Sequence, residues 1–152
     1  MSIWIEILSE YRFKQKISNI AGLYAPKTTR YINMLKDIQP KDIVFHYITA
    51  SGTEKKEYKS SIIGVSKIQS KMHMDRVKLV VKIQDIYNFP KPINKKEIIE
   101  IKNKSYLLKK LININFQRYL SKISTEDFVS LCKIHHENFE FIKNIKPFFD
   151  NL

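Results

Sequence analysis

The side chains suited to chemistry are hydroxyls, aromatic rings and cations set into apolar runs. Residues 41–49, Lys-Asp-Ile-Val-Phe-His-Tyr-Ile-Thr, hold His46, Tyr47 and Thr49 among Ile43, Val44, Phe45 and Ile48. Residues 61–68, Ser-Ile-Ile-Gly-Val-Ser-Lys-Ile, are built the same way. Groups of this kind bind: aromatic faces stack on planar partners, and hydroxyls bond a polar edge or a phosphate. They do not compose a reaction centre. The chain has no His/Cys set with zinc spacing, no nucleophile elbow, no phosphate-cradling glycine loop and no deaminase pairing of His-x-Glu with Cys-x-x-Cys. His135 and His136 are adjacent, so on a helix they point about 100° apart and chelate poorly together. His46 and His73 stand alone in the sequence. The expectation is a binding protein, not an enzyme, with no catalytic residue, metal or cofactor.

Neighbouring residues of a strand face opposite ways, so only one of His46 and Tyr47 looks into a given pocket, and alternation with Phe45 and Val44 favours Tyr47. Ser9, Thr49 and Ser51 fall at strand ends that open on the same mouth. The elements that must hold them are readable. Residues 3–8 alternate as an opening strand. Thr28 or Thr29 caps a helix with Tyr31, Leu35 and Ile38 on one face, and Pro40 ends it. Strands follow at 43–49 and 61–68, joined by the polar, charged loop 50–60. A third β-branched run, 77–86, stops near Pro90 and Pro92. Asn94-Lys-Lys-Glu97 and Ser124-Thr-Glu-Asp127 have capping-box spacing and start short helices. The second helix carries Phe128, Leu131, Cys132 and His135 as an apolar stripe, which makes Cys132 a core residue, and Trp4 is likewise assigned to the core. The order strand, loop, helix, three strands, helix argues an α+β fold around a curled, mostly antiparallel sheet.

The 152 residues, 43% of them hydrophobic, suffice for one core, and three glycines leave no flexible linker. No run approaches the roughly 18 apolar residues of a membrane span, and the opening Met-Ser-Ile-Trp-Ile-Glu lacks a signal peptide's basic flank and apolar length. A soluble, cytoplasmic protein is expected, with the single Cys132 in keeping with a reducing compartment. Twenty-seven Lys and Arg against 15 Asp and Glu give a net charge of +12, enough to draw in polyanions. Lys, Ile and Asn are abundant throughout, as AT-rich coding alone would produce, so a functional basic face and a compositional excess both account for the charge.

The chain resembles an EVE domain of the PUA-like superfamily, a relative of YTH and ASCH domains. The resemblance runs in order through Trp4-Ile5 with Ser9, Gly22-Leu23-Tyr24, Met34-Leu35-Lys36-Asp37-Ile38 and Lys41-Asp42-Ile43-Val44-Phe45-His46-Tyr47. It continues through Ile62-Ile63-Gly64-Val65-Ser66-Lys67-Ile68, Val81-Lys82-Ile83 with Pro90-Lys91-Pro92-Ile93, and Arg118-Tyr119-Leu120 before Ile123-Ser124-Thr125-Glu126-Asp127-Phe128. It implies a PUA-like curled, mixed β-barrel of about five or six strands flanked by short helices, over residues 1–136. Residues 137–152 then form a helical extension or lead into a second domain.

The resemblance also implies function. Such a domain grips nucleic acid, DNA in preference to RNA, and takes one base, often modified, into an aromatic-walled pocket. A flipped base offers two π faces and a Watson–Crick edge, so it needs stacking platforms and one or two polar groups. Tyr24 sits where YTH domains carry a cage aromatic, with Tyr47 as second platform. Ser9, Thr49 and Ser51 face the base edge, and Lys27, Arg30, Lys55, Lys56 and Arg118 hold the backbone, the 50–60 loop acting as a flexible finger. The setting implied is the amino-terminal specificity domain of a McrBC-type modification-dependent restriction protein, with a fused or associated GTP-hydrolysing motor. Two departures stand out: Tyr24-Ala25-Pro26 replaces a common Arg-Asn pair, and Leu8 fills the position of a common lysine. Two other readings stay open, a PUA- or ASCH-like RNA binder that recognises shape and 2′-hydroxyls, and a small interaction domain whose charge is compositional.

Overall fold

The computed structural model describes residues 2–18, 22–24, 29–75, 78–101 and 120–138. Among them are seven strands and four α-helices with defined ends: β1 (Ile3–Leu8), α1 (Glu10–Ser18), β2 (Gly22–Tyr24), α2 (Thr29–Asp37), β3 (Ile43–Ile48), β4 (Ser61–Ile68), β5 (His73–Asp75), β6 (Lys78–Asn94), α3 (Lys95–Ile101), β7 (Leu120–Ile123) and α4 (Thr125–Ile134); residues 136–138 are helical again. The strands form one curled sheet in the order β2-β6-β4-β3-β1-β7, with β5 also on β6. β1 and β3 are parallel, Ile3 opposite Ile43 and Leu8 opposite Ile48, and the other pairs are antiparallel. No helix among the described residues is long and apolar enough to cross a membrane.

Alternation along β1, β3 and β4 sorts their side chains onto two faces. On the outer face Ile3, Ile5, Phe45, Tyr47, Ile62 and Val65 pack with Phe128, Leu131 and Cys132 of α4 and Ile98 of α3. On the inner face Trp4, Val44 and Ile68 meet Leu35 of α2 and Ile38 just after it, together with Val81 and Ile83 of β6. Leu8, Ile48, Ile63 and Phe13 of α1 make a third cluster at the strand ends. Cys132 is buried, and burial pushes its thiol up to about 12.

Local signals explain most element ends. Asn94 Oδ1 accepts from Lys96 N at 2.8 Å while Glu97 Oε2 accepts from Asn94 N at 2.8 Å, a complete capping box for α3. Ser124 Oγ accepts from Asp127 N at 3.0 Å and starts α4. Asp42 closes the α2–β3 turn: its carboxylate accepts from Ser2 N at 2.7 Å, Trp4 Nε1 at 3.0 Å and Gln39 N at 3.0 Å. Trp4 is 3% exposed and is core.

The strand expected over 77–86, stopping near Pro90 and Pro92, instead runs past both prolines to Asn94 as β6. Its register with β4 jumps between the pairs Gly64–Asn88 and Ile62–Ile93, so both prolines fall in a bulged stretch where no ladder bond is missing. Lys91, between them, is satisfied by a side chain: its N–H donates to Asn138 Oδ1 at 3.0 Å, and its carbonyl accepts from Asn138 Nδ2 at 2.6 Å. The start of the 137–152 stretch is thereby held on β6, and residues 139–152 lie outside the described residues. The segment expected to be loop after β1 is helix α1, whose cap is Ser9.

Candidate functional site

Because β1 and β3 are parallel and in register, their carboxyl ends leave the sheet side by side, and Thr49 N donates to Leu8 O at 3.3 Å. Ser9 follows one strand and Thr49 the other. Ser9 Oγ accepts from Arg12 N at 3.3 Å as the cap of α1, which leaves its own O–H free to donate. Thr49 turns the chain into a 3₁₀ turn, Ala50–Gly52. Gly52 closes the group: a Cβ there would lie 2.5 Å from Thr49 Oγ1 and 3.0 Å from Ser9 Cα, so only glycine lets the three segments meet this closely. Ser51, next to it, is exposed.

Beyond Gly52 the strap 50–60 is tied to α1. Thr53, 7% exposed, donates its hydroxyl to Glu10 Oε2 and accepts from Lys55 N at 3.0 Å. Glu10 Oε1 lies 3.0 Å from Lys14 Nζ and 3.4 Å from Lys55 Nζ. The Thr53 hydrogen bond, and then the two lysines, hold the Glu10 carboxyl below its ordinary value of 4.5 against the opposing effect of desolvation. Lys55 also sits 4.9 Å over the ring of Tyr58, which packs against the cluster of Leu8, Phe13, Ile48 and Ile63. Ser60 O accepts from Lys95 N at 2.8 Å. The segment expected to be a flexible finger is therefore anchored along its length, and Lys55 faces an internal carboxylate as well as solvent. Lys56 is exposed.

Tyr47 is not among the residues gathered here. It is 4% exposed in the outer core cluster, and burial pushes its phenol above 10.0, with the Ser60 hydroxyl working the other way. Tyr24 ends β2, opposite Val80. Its side chain and that of Arg30, along with Lys27 and Arg118, lie outside the described residues.

His46, alone in the sequence, is not alone in the fold. Glu6 stands opposite it on β1, and its Oε2 lies 2.9 Å from His46 Nδ1; on the other side Ser66 Oγ of β4 lies 2.5 Å from Nε2. All three residues are 0% exposed. A carboxylate, an imidazole and a hydroxyl in line have the order of a catalytic triad, but burial on this scale leaves no room for a substrate, so the row acts as structure. The ring of Phe13 rests 5.1 Å from that of His46, which seats α1, and with it Ser9 and Glu10, on this row. The signal in the sequence was the charged Glu6 inside an otherwise apolar strand. Among the described residues no group of three His, Cys, Asp or Glu is placed to hold a metal ion.

No family model and no curated protein matches the sequence. Solved structures do. Human THYN1 in complex with 5-methylcytosine-containing DNA is 14% identical, over 89% of this chain and 98% of that one, with a TM-score of 0.65. The N-terminal domain of Staphylothermus marinus McrB is 13% identical over 86% and 93%, TM-score 0.57. A mutant form of ZmASCH from Zymomonas mobilis is 11% identical over 88% and 98%, TM-score 0.56. With its curled seven-stranded sheet and short flanking helices, the chain has the PUA-like fold of EVE and ASCH domains.

Proposed function

We propose that this chain is a nucleic-acid-binding module, not an enzyme, that takes a modified base of DNA out of its duplex at the carboxyl ends of β1 and β3. The observation that carries the reading is the likeness to human THYN1, solved with 5-methylcytosine DNA, along 98% of that chain. In this reading Ser9, Thr49 and Ser51 present hydroxyls to the base edge. Tyr24 supplies a stacking face, a contact that is worth about 1–3 kcal/mol per base. Lys27, Arg30, Lys55, Lys56 and Arg118 hold phosphates within the field of a chain of net charge +12. Tyr47, from the outer core, braces the strand that carries Thr49.

The likeness to the McrB N-terminal domain supports a place as the targeting domain of a modification-dependent restriction system, in the cytoplasm, with a fused or associated GTP-hydrolysing motor. The likeness to ZmASCH favours the second reading, an RNA binder.

The test is a salt-varied titration of short duplexes carrying 5-methylcytosine, 5-hydroxymethylcytosine or N6-methyladenine against unmodified DNA and RNA, repeated with Tyr24→Ala. The expected result is one modified duplex bound about tenfold tighter, roughly 1.4 kcal/mol, with the advantage removed by the substitution. Equal binding of every polyanion, unchanged by Tyr24→Ala and lost in salt, would leave a basic domain without base selectivity. Tightest binding of RNA would favour the second reading.

A further inference from the structure

Three donors from three places converge on one carboxylate: Thr53 Oγ1, Lys14 Nζ at 3.0 Å and Lys55 Nζ at 3.4 Å, all on Glu10. This is the donor set that a backbone phosphate would call for, and an acidic side chain occupies it. The side chains of Lys14 and Lys55 are 64% and 47% exposed, whereas that of Glu10 is 12% exposed, so the ammonium groups meet solvent while the carboxylate lies behind them. We infer that Glu10 is a built-in stand-in for a backbone phosphate, which neutralises Lys14 and Lys55 and clasps the strap 50–60 to α1 until a polyanion displaces it.

The inference rests on the nucleic-acid reading for its ligand and on the strap for its geometry. Ion pairs open to solvent are weak, so exchange of one anion for another on these lysines is thermodynamically accessible. In the resting state the carboxylate cancels charge at the mouth of the site, within a chain that otherwise carries cations in excess. Affinity for any polyanion is thereby held down, and discrimination is left to the base. Displacement of Glu10 also frees the Thr53 hydroxyl and the Lys55 ammonium from α1, so that the strap opens as the phosphate arrives. The group thus acts at once as a brake on non-specific binding and as the latch that ties the strap to α1.

Glu10→Gln keeps an acceptor for Thr53 and removes the charge. It is expected to bind an unmodified 20-base-pair duplex, and base-free linear polyphosphate, about tenfold more tightly at 0.1 M salt. The log–log salt slope should steepen by about one to two as Lys14 and Lys55 lose this carboxylate. Lys55→Gln in that background should return about half of the added slope. Trypsin should cut after Lys55, Lys56 and Lys59 faster in Glu10→Gln than in the wild type, with no polyanion present. Glu54→Gln, the same charge change at an exposed position of the strap, is the control and should leave affinity, slope and cleavage near wild type. Equal gains in Glu54→Gln and Glu10→Gln would reduce the effect to net charge and overturn the inference. So would an unchanged polyphosphate affinity in Glu10→Gln. Failure of the base-recognition reading shows separately, as loss of any preference among duplexes while the polyphosphate gain persists.

Discussion

The two faces of the sheet are made by the same three central strands, and they are solved differently. On the outer face Ile3, Ile5, Phe45, Tyr47, Ile62 and Val65 form continuous hydrocarbon under α3 and α4. On the inner face a polar row, Glu6–His46–Ser66, runs across β1, β3 and β4 and separates the cluster around Trp4 and Val44 from the one around Leu8 and Ile48. The difference bears on register. β1 reads Ile-Trp-Ile-Glu-Ile-Leu and β4 carries apolar residues on both sides, so hydrophobicity alone would tolerate a slip that exchanged the faces. A slip of one residue breaks the polar row, because buried polar groups must find partners. The outer face is therefore apolar throughout, and the inner face adds uniqueness to its burial. It also fixes where Ser9 and Thr49 leave the sheet.

The largest break in this comparison is His46→Ala, which takes a partner from the buried Glu6 carboxylate. It should cost about 3–5 kcal/mol in urea denaturation. Glu6→Leu, His46→Phe and Ser66→Ala combined should cost far less than the sum of the three single changes, since the members of the row no longer leave one another unpaired. Truncations on the outer face, such as Phe45→Ala with Phe128→Ala, should show no such recovery, because each leaves a cavity. A combined inner-face variant that cost as much as its parts together would show that the row carries no special weight.

Gly64→Ala sharpens the same point at lower cost. A Cβ at Gly64 would stand 2.2 Å from the Tyr87 carbonyl oxygen of β6, so β4 and β6 must separate. Gly64 pairs with His46 across the β3–β4 ladder, at the bulge where partners skip from Ile62 to Gly64. Separation there shifts Ser66 off the imidazole. A loss of about 1–3 kcal/mol is expected, and it should shrink when the inner row has already been made apolar.

How much of this was legible follows the range of the signals. β1, β3, β4 and the caps of α3 and α4 were readable because alternation and Asn94…Glu97 or Ser124…Asp127 are local. The apolar stripe that buries Cys132 was equally plain. β2 and β5 have three residues each and β7 four, too few to show a period. α1 was hidden because its sequence, Glu-Tyr-Arg-Phe-Lys-Gln-Lys-Ile-Ser, is mostly polar, although Ser9 before Glu10 was a usable cap signal. In the site, Ser9 and Thr49 were legible as residues at strand ends. The link of Glu10 to Thr53 was not, since the two are 43 positions apart and meet only because β1 and β3 are parallel. His46 and Tyr47 were known to face opposite ways. Which way each faced depended on a partner, Glu6, that no pattern within β3 contains.

Tyr47→Phe gives the smallest effect and bears directly on the site. Removal of the hydroxyl that interacts with Ser60 should cost about 1 kcal/mol at neutral pH. The pH dependence carries more information. Burial favours the neutral phenol, so the folded protein ionises Tyr47 above 10.0 while the unfolded chain does so at the ordinary value. Above that pH the folded state holds the proton that the unfolded state has lost, and stability falls as pH rises toward the folded value. Cys132, pushed from 9.0 to about 12 by burial, gives a fall of the same sign, but it is present in both proteins and cancels in their difference. Wild type should thus lose stability above pH 10 more steeply than Tyr47→Phe, as read from urea midpoints at successive pH values, while DNA binding at neutral pH stays within about twofold. A difference curve that stayed flat above pH 10 would mean that water reaches the phenol in the folded protein, which would return Tyr47 to the surface as a platform for a base and remove it from the outer core.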